Sequence, residues 1–226
     1  MVRNKHILIC LLAAAWTPSW APLAQAAIVT PQMGGGQVGM MGAPMKHTDV
    51  MFDGTNITLH VDDTVATPIL RPLAAGDTFL DPNTVHTWDI LEGKAYNFQH
   101  AWNPGGFITL PAGGSIWVER LSQDAALECY LRPPASPSYA RVFQADGDRW
   151  EWSGAMTHNV YAVLDPLQTT YSATYRVYIG DDVTGVPLSG YGSADVTWTW
   201  NATPVPEPAS LSVLALGAAA LIRKRR

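Results

Sequence analysis

Tyr171-Ser172-Ala173-Thr174-Tyr175-Arg176-Val177-Tyr178-Ile179 decides the fold class. Tyr171, Ala173, Tyr175, Val177 and Ile179 share one face, and Ser172, Thr174 and Arg176 share the other, the period-two pattern of a half-buried strand. Toward the C-terminus, Val196, Trp198 and Trp200 alternate with Thr197 and Thr199, which marks a last strand with a core-facing tryptophan pair. Toward the N-terminus, Ile116 and Val118 alternate with Trp117 and Glu119, and Tyr96 and Phe98 with Asn97 and Gln99. No segment carries ten or more residues of helical period, and aromatic and β-branched residues gather in short runs between turn signals. The pattern predicts an all-β domain over residues 46–204, an antiparallel two-sheet β-sandwich of jelly-roll or Ig-like type with roughly eight to ten strands.

Asp-Gly pairs favour two-residue type I′ turns, so two hairpins are expected. Asp146-Gly147 would join Arg141-Val142-Phe143 to Trp150-Glu151-Trp152, and Asp53-Gly54 would join Val50-Met51-Phe52 to the run from Ile57 to Val61. Counting outward from the second turn sets Val50 opposite Ile57 and His47 opposite His60, with Asp49 and Asp62 on the same polar face. His47-x-Asp49 and His60-x-Asp62 would then offer two imidazoles and a carboxylate to Zn or Cu. The same pattern also reads as a solvent-facing polar strip. His100 follows Tyr96 and Phe98 in phase and is expected in the core.

Seven tryptophans lie between residues 27 and 204. Trp150 and Trp152, in phase with Asp148 beside a turn, are the candidates for stacking on sugar rings; the competing reading packs them between sheets. Acidic turns at Asp62-Asp63, Asp146-Gly147-Asp148 and Asp181-Asp182 offer oxygens to Ca²⁺, but without EF-hand spacing. Met33, Met40, Met41 and Met45 precede His47 in a Gly-rich leader, residues 27–45, which lacks hydrophobic periodicity and reads as flexible; thioethers suit Cu(I). Cys129 is the lone cysteine after residue 26, so no intramolecular disulfide forms, and its strand-like context predicts a buried, inert thiol. No Gly-x-Ser-x-Gly, His-Glu-x-x-His or phosphate-cradling loop is present, which points to a protein that is not an enzyme.

The two ends are of another kind. Arg3 and Lys5, an apolar run from Ile7 through Ala15, breaks at Pro18 and Pro22, and small residues at Ala24 and Ala26 form a secretory signal peptide, residues 1–26, cut after Ala26. Its expected partners are the Sec translocon and signal peptidase, with Cys10 leaving in the cleaved piece. At the other end Pro206-Glu207-Pro208 precedes an apolar run of 14 residues from Ala209 to Ile222 and then Arg223-Lys224-Arg225-Arg226. As a transmembrane helix this run would span about 21 Å at ~1.5 Å per residue, short of a hydrocarbon core of about 30 Å. The terminal cations keep the tail on the cytoplasmic side. Six of the 14 Lys and Arg and one of the 19 Asp and Glu lie in these ends, so residues 27–204 carry eight basic against eighteen acidic side chains, a formal charge of −10. So acidic a domain argues against nucleic acid as a partner.

Residues 205–226 resemble the PEP-CTERM sorting signal, in which a Pro-Glu-Pro motif, a short membrane segment and a basic tail are recognised together. The resemblance implies cutting by an exosortase-type membrane enzyme near Pro206 to Pro208, transient membrane anchoring, and release to the cell surface or extracellular matrix, often alongside extracellular polysaccharide. About the activity of the β domain it implies nothing.

Overall fold

The computed structural model describes residues 27–36, 42–81, 88–132 and 139–204. The expected signal helix with Ala24 and Ala26, Met40 and Met41, and the whole C-terminal segment with Pro206, Glu207, Pro208, Arg223, Lys224, Arg225 and Arg226 lie outside the described residues. No helix among the described residues is long and apolar enough to cross a membrane.

The regular structure of the described chain is almost all strand, with a single 3-10 turn at Asp89–Leu91. β1 (Lys46–Phe52), β2 (Ile57–Val61) and β5 (His100–Pro104) form one small sheet in the order β2-β1-β5. β4 (Lys94–Asn97), β10 (Asn159–Leu164), β7 (Glu128–Leu131) and β8 (Arg141–Val142) form a second, in the order β4-β10-β7-β8. β4 and β5 are nearly one strand bent at Phe98-Gln99, and a bridge from Trp102 to Thr157, just ahead of β10, joins the two sheets into one layer. Facing it lies β3-β12-β11-β6-β9, made of β3 (Ile69–Leu70), β12 (Ala194–Ala202), β11 (Thr170–Asp181), β6 (Gly114–Gln123) and β9 (Arg149–Trp152).

The alternation read from β11 holds: Tyr171, Ala173, Tyr175, Val177 and Ile179 are all buried. Across the β11–β12 ladder Ala173 stands opposite Trp198, a small residue making room for a large one, and Tyr171 stands opposite Trp200, two rings on one buried face. Trp198 reaches the facing layer, where its ring lies 4.3 Å from Trp102 and 4.6 Å from His100, the latter stacked at 8°. Its Nε1 donates to Thr48 Oγ1 at 2.8 Å, a buried bond from one layer to the other. The core therefore sits between the two layers around Trp102, Trp152, Trp198 and Trp200 with Tyr161, Tyr171 and Tyr175.

Three expectations are corrected. The sheets are mixed, not purely antiparallel: β1 pairs β5 and β12 pairs β3 in parallel, as the long connections between those strands permit. Asp146-Gly147 does not close a hairpin, because β8 pairs β7 in one layer and β9 pairs β6 in the other. Phe143, at φ +54 with its ring buried, turns the chain between layers, and Arg120 holds the crossing by its Nε 3.0 Å from Asp146. The leader is not loose where it is described. Val29 is bonded to Thr78, and Tyr96 Oη accepts from the Gln32 N–H at 2.9 Å and donates to Gly36 O at 2.6 Å.

That segment, with Phe79 and Leu91, covers the outer face of the four-stranded sheet and builds a second cluster with Tyr96, Phe98, Tyr130 and Val160. β10 is thus buried on both faces, and Asn97, expected on a polar face, has no exposure at all.

Candidate functional site

The β1–β2 turn determines where the histidines go. Pairing runs Phe52 to Ile57, Val50 to Leu59 and Asp49 to His60, so the turn is centred on Gly54-Thr55, one residue later than an Asp-Gly turn. Asp53 is the reason. Its carboxylate accepts the N–H groups of Thr55 at 2.8 Å and Asn56 at 2.7 Å, which hold its pKa below the usual carboxylate range, while Gly54 takes φ +98. Moving the centre by one slides the partner by two, so faces are kept but opposites change: His47 meets Asp62, whose N–H donates to His47 O at 2.9 Å, instead of His60.

The four residues share a face but are individually engaged. Asp49 Oδ1 accepts from Asn103 Nδ2 at 2.7 Å. The Asp62 carboxylate turns to the Thr64 hydroxyl and N–H at 2.5 and 2.9 Å, contacts that lower its pKa. His60 is exposed. His47 Nε2 is buried without a hydrogen-bond partner among the described residues, and across Ala101 from it stands His158, whose Nδ1 lies 2.8 Å from Phe98 O. Among the described residues no group of three or more His, Cys, Asp or Glu is arranged to hold a metal ion. The acidic turns close on themselves: Asp181 binds Thr184, and Asp148 binds the Ala145 N–H.

His100 is a core residue, 1 % exposed, with Nε2 3.2 Å from Thr199 O, and burial pushes its pKa down to about 3. Cys129 is wholly buried, which pushes its thiol up to about 12 and leaves it inert at neutral pH.

The tryptophan candidates are placed inward. Trp152 is 2 % exposed and gives its Nε1 to Ala155 O at 2.7 Å, and Trp150 is half-buried against the core. Trp152 instead lines a cavity of about 400 Å³ between the end of β9 and the loop after β5. Phe107, 95 % exposed, also lines it, together with Glu151 and Ser153. Ile108 packs on the core while Phe107 beside it stands in water. Nothing in the sequence reading singled out Phe107. The signal available was an aromatic placed after Gly105-Gly106 and ahead of Pro111, where turn residues surround a ring with no partner run.

No curated protein and no solved structure matches the chain. Residues 204–226 match the family model of the PEP-CTERM protein-sorting motif, beginning two residues after β12 ends at Ala202. The β domain thus hands over almost without a linker to the tail that an exosortase processes, and the chain is one that carries a PEP-CTERM sorting motif and is exported to the cell envelope.

Proposed function

We propose that this protein is a non-catalytic component of the cell surface or extracellular matrix, exported behind residues 1–26, held briefly by residues 209–222, and freed by exosortase cutting near Pro206 to Pro208 so that its sandwich domain associates with extracellular polysaccharide. The observation that carries the reading is the junction. β12 completes the five-stranded sheet at Ala202, and the sorting motif begins at residue 204, so a cut within Pro206-Glu207-Pro208 removes no strand. A residue followed by proline is biased away from the helical region, a bias that would suit Glu207 to a processing enzyme. The domain's formal charge of −10 suits release into a medium of neutral polymer better than adhesion to anionic lipid.

The test is the C-terminus of the protein recovered from its host. Intact-mass measurement should find a chain ending close to residue 206, and cells with Pro206, Glu207 and Pro208 replaced by alanine should retain an uncut form in the membrane fraction. A secreted form still ending at Arg226 would overturn the proposal.

A further inference from the structure

We propose that the cavity between the Pro104–Pro111 loop and the end of β9 binds a neutral polysaccharide chain, with the Phe107 ring as the stacking face and the Glu151 carboxylate accepting sugar hydroxyls. This deepens the polysaccharide reading above and rests on it. A volume of about 400 Å³ is within the range of sites that hold small organic units. Its walls carry the two features a sugar ring asks for. One is an aromatic face free of other contacts, since Phe107 is 95 % exposed. The other is a fringe of hydrogen-bonding groups, from Glu151, Ser153 and Ser115, with open space beside Gly106 and Gly154 through which a hydroxyl reaches the main chain.

The site is also held in shape before anything binds. At the loop's start the Gly105 N–H donates to Val50 O at 2.9 Å; at its end Gly114 donates to Pro111 O at 3.0 Å; between them Ile108 is packed on the core. A ring kept in water on a loop anchored at three points loses little freedom when a ligand arrives. Charge selects the kind of chain. Among the described residues lining the cavity Glu151 alone is ionisable, and with ten net negative charges on the domain an anionic polysaccharide is repelled.

Affinity electrophoresis of the exported protein tests this, in native gels containing hydroxyethylcellulose, dextran or galactomannan as neutral chains and alginate as the anionic one. Retardation by at least one neutral polymer and none by alginate is expected, with Phe107→Ala binding roughly tenfold more weakly and Glu151→Gln a few-fold. Phe107 touches little, so its truncation should leave the melting temperature unchanged and the loss readable as binding. Equal retardation of the wild type and Phe107→Ala would overturn the cavity as the site while leaving association with polysaccharide standing. Free migration of the wild type in every gel would overturn both. Retention on immobilised unfolded casein in place of retardation would assign the cavity to an extended peptide, and would overturn the proposal too.

Discussion

Gly34-Gly35-Gly36 and Gly105-Gly106 are written in the same residue and end in opposite surroundings. The first run is buried: a Cβ on Gly35 would lie 1.7 Å from the Tyr96 carbonyl oxygen, and the residue takes φ +73. The second run is exposed; a Cβ on Gly106 would meet nothing within 4 Å. Glycine in the first case lets two backbones touch and seals the outer face of the four-stranded sheet. In the second it leaves space beside an exposed ring. Composition reads the first stretch as part of a flexible leader and marks nothing at the second. What separates them is whether a neighbouring backbone lies within reach, which only the tertiary structure supplies.

The sharpest way to break the contrast is Gly35→Ala. The clash is with backbone, which has no rotamer to yield, and the left-handed φ adds its own strain, so the residue 27–36 segment must lift from Tyr96. A loss of more than about 3 kcal/mol is expected, the class of a severe core defect. Denaturant unfolding would measure it, together with faster proteolysis ahead of β1.

Acid should act outside the Pro104–Pro111 loop, which contains no titratable side chain, and first on the buried histidines. His100 takes up a proton in the unfolded chain near pH 6.5, whereas the folded chain refuses it until about pH 3. Between those values the unfolded state binds more protons, so stability falls as pH falls, by roughly 1.4 kcal/mol per pH unit once well below 6.5. His158, also pushed down by burial, adds in the same direction. Below about pH 4 the carboxylates of Asp53, Asp62 and Asp181, held low by turn hydrogen bonds, lose their own contribution as they protonate. Unfolding midpoints from pH 7.5 to 4.5 should drop steadily, and His100→Phe, which keeps a ring on Trp198, should flatten the slope. An unchanged slope in that variant would place the titration elsewhere.

Tyr96→Phe sharpens the comparison at smaller scale. The hydroxyl satisfies the Gln32 N–H and the Gly36 carbonyl together, and without it both lose a partner in a part-buried place. A cost of about 1–2 kcal/mol is expected, read as a lower unfolding midpoint with the sheet intact by circular dichroism.

How much of this was legible depended on how local its cause was. The strands of β11 and β12 were readable because a two-residue period reports one buried face, and Trp198 and Trp200 lie in the core as that period requires. Asn97 and Gln99 misled because Tyr96 and Phe98 take the outer face, which the 27–36 segment covers, while Asn97 turns to the facing layer, where its Nδ2 donates to Ile69 O at 3.1 Å. The His47 and His60 pairing failed by one residue of turn centring, because the Asp53 side chain took the N–H groups that a type I′ turn leaves free. Parity survived that slip and opposition did not, which is why the polar face was right and the metal geometry was not. Phe107 was invisible for the complementary reason: an exposed ring has no period, and its meaning comes from Glu151 and Trp152, some forty residues further along the chain.

Gly106→Ala carries the smallest effect and the most telling sign. Its backbone is outside the left-handed region and its would-be Cβ has free space, so the folded state gains no clash. The unfolded chain, however, loses conformational freedom when glycine becomes alanine. The substitution should therefore be neutral or stabilising by about 0.5 kcal/mol, measured by the same unfolding curves that register a loss for Gly35→Ala. Two chemically identical changes would then move stability in opposite directions. If Gly106→Ala instead destabilised the fold by more than ~1 kcal/mol, the loop would be packed against something, and Phe107 would not stand free to meet a sugar.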